Sequence, residues 1–488
     1  MNVKKDFCQF ILYFCGVSFL IQNMTTRRNF LRNSTLGVAA ITAVPSAVMA
    51  APDNVTSVKE TGKLKIGIAR EIITPKLGGL FMGYGSDKGS TAVHDDLTVT
   101  ALAIEYGKTK VVLMSATVCL IGNELTAKVR ALCGEAAGVP AANVILNATH
   151  THSGPITTNY GDSSYDVAYC DSIFVPKCVA AAKAAIKEMK PATVGVAKTE
   201  SKVGINRRQL LANDRVILGQ NPWGPYDSEM TVISFKGDDG KSLANIVHCA
   251  AHCTAIGSNT EVSRDWAGVM IDRLERESGA VTMFLQGLQG DIAPRMANGG
   301  STGDMSHAIE VGALAGLDAV RAYKDIRMYR DEVLSVVTGE VKIPHGPIMP
   351  LEEARKELAK LDAAQPGRWT AGRRDLLTKI IDLHAKGQTG ESFFVMIQTI
   401  VKIGPIVFIP VPFEVSTEVS LRMRAYSKYG HTLALGCTNG SNSYLPAQDQ
   451  ICRGGYEVEQ LMWAAPRRIA DNGDMHLINQ NLKLIEQL

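Results

Sequence analysis

Short apolar runs recur along the chain and alternate irregularly with amphipathic, helix-like stretches. An alternating strand pattern starts at Leu64, and further strand-like runs occupy residues 99–106, 110–115, 143–147, 193–199, 230–235, 244–248, 281–286, 333–343, 393–400 and 406–410. Helical patterns occupy residues 124–137, 172–189 and 267–277, and residues 350–386 predict two helices broken at 365–367. This mixture predicts a mixed α/β fold with large β-sheets flanked by helices.

The size and composition of the chain indicate a globular protein with a substantial core. It has 488 residues, of which 46% are hydrophobic, and a net charge of only +3. Because no dense basic run is present in the body, we do not expect nucleic-acid binding. No repeat or linker follows residue 50, so a single catalytic domain over residues 60–488 is the simplest interpretation.

The N-terminus has the pattern of an export signal. Residues 25–31 read Thr-Thr-Arg-Arg-Asn-Phe-Leu, and a soft apolar segment over residues 36–50 ends in small residues. We expect a twin-arginine signal within residues 1–50, with an ordinary secretory signal as the alternative. Met24 lies just before the motif, so residues 1–23 fit a misassigned start. The expected location is periplasmic or secreted, with no stable membrane span in the mature chain.

Eight of the ten cysteines lie beyond this segment. An oxidising compartment permits disulfides, but the spacing shows no regular framework.

Two histidines stand at the end of a predicted buried strand. Residues 148–155 read Ala-Thr-His-Thr-His-Ser-Gly-Pro and follow the apolar run 144–146. His150 and His152 could be a metal ligand and a catalytic base, or simply polar side chains at a strand end. The motif alone leaves both interpretations open.

A second histidine pair, His248 and His252, follows another strand-like run. We expect a strand end and a loop here, with only one of the two histidines in a site. A structural zinc site on Cys249 and Cys253 is disfavoured, because no second pair with suitable spacing exists.

The C-terminal third has polar candidates in loops. Glu414 follows the apolar run 406–409, with two prolines and a phenylalanine directly before it, and Tyr444 and Tyr456 lie in segments rich in Gly and Asn. Loops at sheet edges often carry function. Spacing alone would not identify any of these residues as metal ligands.

Taken together, these segments resemble the neutral, non-lysosomal ceramidases. The resemblance spans residues 64–457, and its most specific landmark is the 148–155 motif. The other landmarks, in chain order, are Met82-Gly-Tyr84-Gly, Gly204-Ile-Asn-Arg207-Arg208, Asp227-Ser-Glu-Met-Thr-Val, His252 with Thr254, Phe284-Leu-Gln286, Gly290-Asp291-Ile-Ala-Pro294, Pro412-Phe-Glu414, Tyr444 and Tyr456-Glu457.

The resemblance implies a zinc hydrolase that cleaves an amide (N-acyl) bond. Its zinc ligands would be His150, His252, Glu414 and Tyr444, a donor set that suits Zn²⁺ with an open position for water. His152 would transfer protons at the reacting carbonyl. Arg207 and Tyr456 would bind the polar part of the substrate and stabilise negative charge on the carbonyl oxygen. The substrate would be a small molecule, either a sphingolipid or another N-acyl compound.

The sequence also departs from the family pattern. The family's serine falls, by register, on Gly287, and we expect no counterpart of the family's usual C-terminal β-sandwich domain in this sequence. The chain could therefore use zinc-activated water directly, hydrolyse a non-lipid sugar-derived or carboxylic substrate, or be an inactive binding protein.

Overall fold

The computed structural model describes residues 62–84, 88–159, 164–365, 367 and 369–488. These residues belong to one compact unit, Glu60–Leu488. The predicted export signal lies outside the described residues. Within them, no helix is both long and apolar enough to cross a lipid bilayer.

The strands, numbered in chain order, are β1 Lys65–Ile72, β2 Ala92–Val93, β3 Thr98–Tyr106, β4 Thr109–Ala116, β5 Val144–Ala148, β6 Lys190–Glu200, β7 Gly204–Leu210, β8 Val216–Asn221, β9 Glu229–Gly237, β10 Ser242–Cys249, β11 Glu261–Val262, β12 Val281–Gln286, β13 Ile292–Pro294, β14 Leu334–Pro344, β15 Phe393–Ile403, β16 Ile406–Pro410, β17 Glu414–Val415, β18 His431–Leu435 and β19 Tyr444–Leu445. The helices are α1 Asn123–Ala137, α2 Val167–Tyr169, α3 Val175–Lys187, α4 Asp265–Ser278, α5 Met305–Lys324, α6 Leu351–Ala363, α7 Thr370–Ala385, α8 Thr417–Tyr426, α9 Gln448–Ile451, α10 Tyr456–Met462 and α11 Gly473–Ile485. A π-helical turn, Cys170–Phe174, joins α2 to α3.

The largest sheet has eight strands in the order β12-β10-β9-β6-β1-β3-β4-β5. Its end pairs, β10 with β12 and β4 with β5, are parallel, whereas the strands between them pair antiparallel. A second sheet has the order β14-β15-β16-β18. The predicted mixed α/β fold is confirmed.

The two sheets pack face to face between outer layers of helices. Leu102 and Ile104 of β3 face Ile403 and Phe408 of the second sheet in one buried cluster. Because side chains alternate along a strand, the intervening residues of β3 face the other way, against α1 and α3. Helices α4 and α5 cover the β9–β10–β12 end of the large sheet, and α8 and α11 cover the second sheet.

The large sheet curls until its two edge strands approach each other. The backbone N–H of Gln286, at the end of β12, donates to Oδ1 of Asn147 on β5 at 3.0 Å. The Ser115 hydroxyl on β4 donates to the carbonyl of Phe284 on β12. This closure brings the segments that follow β5 and β10 together, and a bridge between Thr151 and Cys253 joins them directly.

Helices α6 and α7 form a hairpin with a small core of its own, including Ala354 and Leu377. This agrees with the two helices predicted over residues 350–386. The eight cysteines beyond residue 100 are free thiols, and all but Cys452 are buried.

Candidate metal centre and active site

His150 lies two residues beyond β5 and is almost fully buried. Its backbone has a positive φ of 69°, an uncommon conformation for a non-glycine residue. The ring Nδ1 is 2.8 Å from the Cys119 carbonyl oxygen, and an N–H there donates to it. That bond leaves the lone pair on Nε2 and directs it into the site.

His252 is held in the same manner by another part of the chain. It follows β10 in a loop, and its Nδ1 lies 2.8 Å from the carbonyl oxygen of Ile292. The indole N–H of Trp266 donates to the His252 carbonyl at 2.8 Å and fixes the loop. Nε2 of His252 is therefore also available as a ligand. As predicted, the other histidine of this pair does not join it: His248 remains on β10 and contacts the carbonyl of Ala434.

Glu414 and Tyr444 are direct partners in a two-stranded parallel ladder. Strand β17 pairs with β19 in a register that places Glu414 opposite Tyr444. Both side chains are buried. Backbone pairing thus sets two residues that are 30 positions apart in the chain side by side.

These four residues converge on one point. The Oε2 atom of Glu414 lies 3.2 Å from Nε2 of His150 and 3.1 Å from Nε2 of His252. The Tyr444 hydroxyl lies 3.5 Å from the same nitrogen of His252. Two ligands at about 2.0–2.1 Å from a tetrahedral zinc ion are about 3.4 Å apart. The two nitrogens and two oxygens therefore fit a metal ion in both chemistry and spacing.

The charges of the cluster are consistent with this interpretation. Burial opposes ionisation of Glu414, but His150 and His252 hold its pKa well below the ordinary value. Burial, followed by the charge of Arg207, lowers the pKa of His252 to about 4. Burial also opposes charge on His150, but Cys119 and Glu414 raise its pKa. A cation between these groups would replace the proton on His150.

His152 lies next to the cluster and is half-buried. Its Nε2 is 3.2 Å from Nε2 of His150, and Tyr84 packs edge-on against the ring at 4.9 Å. Its Nδ1 is buried and has no hydrogen-bond partner among the described residues. Burial, then the charges of His150 and His252, hold the pKa of His152 well below its ordinary value. The ring is therefore neutral, with a lone pair on one of its two nitrogens.

Arg207 connects the cluster to a buried ion-pair network. It donates from Nη1 to Nε2 of His252 and from Nη2 to the Tyr444 hydroxyl, each at 3.1 Å. Its Nε donates to Glu457 at 2.8 Å, and Arg208 donates to the other oxygen of Glu457 at 2.6 Å. Glu457 is 1% exposed, and its single carboxylate forms ion pairs with both buried guanidinium groups. The sequence drew attention to Glu457 only as a landmark.

The comparisons with known proteins agree with this geometry. Residues 64–311, just over half of the chain, match the family model described as neutral/alkaline non-lysosomal ceramidase, N-terminal. The chain belongs to this ceramidase family. Membership indicates a hydrolase that acts on amide bonds, and the His150–His252–Glu414 group could hold the metal. No curated protein sequence matches the chain.

Two solved ceramidase structures share the fold. Neutral ceramidase from Pseudomonas aeruginosa is 19% identical, with a TM-score of 0.68 over 88% of this chain and 75% of that one. A ceramidase complexed with C2 is 18% identical, with a TM-score of 0.67 over 88% of this chain and 76% of that one.

In this protein, a pocket of about 460 Å³ opens onto the metal cluster, the group of candidate ligands formed by His150, His252, Glu414 and Tyr444. Glu414, Tyr444 and Tyr456 line it together with residues of the α7–β15 and α10–α11 regions. The ring of Tyr456 packs edge-on against Tyr444, with centroids 5.6 Å apart, and Arg207 lies 5.7 Å from its centroid. All seven residues singled out from the sequence therefore lie in or beside one site.

Gly287 has different neighbours. A Cβ built there would lie 3.0 Å from the carbonyl oxygen of Cys249 and 3.1 Å from Nε2 of His248. No cluster residue is among its three nearest neighbours. The replacement of the family's serine by Gly287 stays a prediction.

Proposed function

We propose that the protein is an exported, zinc-dependent hydrolase that cleaves the amide bond of an N-acyl substrate. One observation carries the proposal: Oε2 of Glu414 lies within 3.2 Å of Nε2 of both His150 and His252, while backbone carbonyls fix the opposite nitrogens. Such an arrangement orients three ligands before any ion binds.

Zinc is the metal that we propose for this site. Its ligands would be His150, His252, Glu414 and Tyr444, a set of imidazole and oxygen donors that suits Zn²⁺. When bound, the ion would act as a Lewis acid and lower the pKa of a coordinated water towards neutrality.

The chain's own groups would handle the proton and the charge. Nε2 of His152 faces the cluster, so this atom would take a proton there and pass it to the leaving nitrogen. Arg207 and the Tyr456 hydroxyl would stabilise the negative charge that develops on the carbonyl oxygen. Glu457 would keep Arg207 in place through its 2.8 Å ion pair.

We propose that the substrate is a lipid-like N-acyl compound. Leu120, Phe394, Phe413 and Leu461 provide apolar surface in the pocket next to the cluster. A volume of about 460 Å³ falls in the range of about 300–1,000 Å³ typical of small-molecule sites. A solved ceramidase of this fold was complexed with C2, which supports a ligand-binding site in this fold.

The metal and the proton-transfer roles can be separated by mutation. We expect His150→Ala to abolish both zinc binding and the hydrolysis of N-acyl substrates. Zinc content would be measured by inductively coupled plasma mass spectrometry. His152→Ala should retain the zinc and lose about 10²–10⁴-fold in kcat, because it removes only the proton acceptor. The exposed His94 provides the control, and His94→Ala should change neither quantity. Wild-type protein without stoichiometric zinc would refute the proposal.

We also propose export to the periplasm through the twin-arginine route. The support is the sequence Thr-Thr-Arg-Arg-Asn-Phe-Leu at residues 25–31. Replacing Arg27 and Arg28 with lysine should retain the protein in the cytoplasm, as measured by cell fractionation. Unchanged export of that variant would favour an ordinary secretory signal.

A further inference from the structure

The pocket that opens onto the metal cluster carries an excess of positive charge. Of the described residues that line it, Glu414 is the only acidic one, and it belongs to the metal cluster. Arg467 and Arg468 line the same pocket. The partly exposed Trp369 also lines it, which indicates that the pocket reaches the surface.

The two arginines differ in how their charges are compensated. Arg468 donates to Asp471 at 2.6 Å and to the carbonyl of Ile469 at 3.0 Å, so a carboxylate neutralises it. Arg467 makes no ion pair with any acidic residue that the structure describes. It donates from Nη1 to the carbonyl of Gly390 at 2.7 Å and to the Ser392 hydroxyl at 2.9 Å, and from Nη2 to the Gln388 carbonyl.

These contacts use three of the five N–H groups of Arg467. The Nε–H and one N–H on Nη2 have no acceptor among the residues that the structure describes. Guanidinium N–H groups without an acceptor form charge-assisted hydrogen bonds with the oxygens of a carboxylate. Arg467 thus combines an uncompensated charge with unused donors, on a side chain whose position three other contacts fix.

His345 adds no compensating negative charge and no second cation. Its Nδ1 lies 2.9 Å from the Ser392 hydroxyl that Arg467 also contacts. Burial and then the charge of Arg467 lower the pKa of His345, so the imidazole is neutral at neutral pH. Among the described residues at this end of the pocket, Arg467 therefore carries the full charge that has no carboxylate partner.

We propose that Arg467 is a specificity-determining residue that binds a carboxylate on the substrate, so that the preferred substrates are N-acyl compounds with an acidic amine portion, such as N-acyl amino acids. This inference rests on the proposed amide hydrolysis. The acyl carbonyl lies at the metal cluster, and the carboxylate of the same molecule pairs with Arg467. A neutral N-acyl compound would leave the guanidinium charge without a partner.

The spacing between the amide and the carboxylate can be measured with matched substrates. We would use the N-lauroyl derivatives of glycine, 4-aminobutyrate and 6-aminohexanoate, each beside its neutral primary amide. At the spacer length that reaches Arg467, kcat/KM for the acid should exceed that for the amide by about 10- to 100-fold. N-lauroylethanolamine and its phosphate ester form a further pair. Preference for the phosphate ester alone would overturn the assignment to a carboxylate.

Variants at Arg467 separate substrate recognition from loop anchoring. Arg467→Gln should remove the preference for acids, mainly through KM, while Arg467→Lys should restore part of it. Arg327→Gln removes an equal charge from an exposed side chain and should leave the preference intact. If Arg467 only anchors the loop at residues 388–392, Arg467→Gln will lower kcat/KM for acids and amides equally and lower the melting temperature. That result would overturn the proposal.

Binding measurements distinguish this proposal from the proposed hydrolysis. Calorimetry on the zinc-loaded protein should show tighter binding of the matched acid than of its amide, and Arg467→Gln should abolish the difference. If the wild type binds the acid selectively but cleaves neither compound, hydrolysis fails and the anion site stands. If it cleaves and binds both equally, the anion site fails and hydrolysis stands.

Discussion

Gly83 lies against the ring of His152, and no other residue type fits at this position. Its φ is +114°, and a Cβ built there would lie 2.2 Å from Nδ1 of His152. An added methyl group must therefore displace either the imidazole or the 82–84 segment. The position of the proposed proton acceptor thus depends on a glycine that is far in sequence from the proposed metal ligands.

We expect Gly83→Ala to lower kcat by about 10²-fold, since a displacement of about 1 Å is enough to misplace a catalytic group. The zinc content should be unchanged, because His152 is not among the proposed ligands. Gly78→Ala is the matched control: Gly78 has a φ of +97°, but a Cβ added there would meet nothing within 4 Å. It carries the same backbone strain without the clash. Equal losses in the two variants would contradict the role of the ring contact.

At the scale of elements, Asp291 joins three segments around the site. Its fully buried carboxylate accepts hydrogen bonds from the Asn206 side chain on β7, the Thr417 backbone N–H on α8 and the Gln450 side chain on α9. Burial nevertheless outweighs these donors and raises the pKa of Asp291 to about 6. The carboxyl group therefore binds a proton in the folded protein at pH values where the unfolded chain has lost it.

This raised pKa predicts a pH-dependent contribution to stability. Between about pH 4 and 6 the folded state binds more protons than the unfolded state, so the contribution of Asp291 to the free energy of unfolding falls as pH rises. Urea denaturation would give the free energy of unfolding of the wild type minus that of Asp291→Asn. This value should fall by up to about 3 kcal/mol as pH rises over this range. A difference that is constant with pH would show that Asp291 has an ordinary pKa.

At the scale of the whole molecule, the closure of the large sheet depends on Asn147. This side chain is 0% exposed. Its Oδ1 accepts from Gln286 on the opposite edge strand, and its Nδ2 donates to the Gly436 carbonyl and the Thr438 hydroxyl at 2.9 and 2.8 Å. One amide therefore ties both edges of the sheet to the segment before β19, which carries Tyr444.

We expect Asn147→Ala to lower the free energy of unfolding by about 3–5 kcal/mol, because it leaves the buried Gln286 N–H without an acceptor and removes two further buried hydrogen bonds. Zinc affinity, measured by competition with a chelator, should fall as well, since the segments that carry His150 and Tyr444 lose their connection. Asn143→Ala removes a single bond to the Lys110 carbonyl just before the same strand. It should be milder and leave zinc affinity unchanged. Equal zinc affinity in the two variants would argue against a role for closure.

All eight strands of the large sheet and helices α1, α3, α4, α6 and α7 could be predicted from the sequence, because their signal is local. The predictions missed α8, α11, β7, β8, β18 and α5, the longest of the described helices. The predicted runs at 281–286 and 406–410 coincide with β12 and β16, and the helix predicted at 124–137 differs from α1 by one residue. Short elements such as β17 and β19 could not be predicted from periodicity, because two residues carry none. They are nevertheless the elements that set Glu414 opposite Tyr444.

The sequence by itself determined the mixed α/β class, the position of the histidine motif at a strand end and, through its motifs, the family. Only the tertiary structure decided that His150, His252, Glu414 and Tyr444 meet, because their convergence requires the curling of the large sheet and one parallel ladder. It alone revealed the pairing of Glu457 with two buried arginines and the uncompensated charge of Arg467. Local patterns follow from neighbouring residues, whereas electrostatic compensation depends on groups that are distant in the chain and adjacent only in the folded protein.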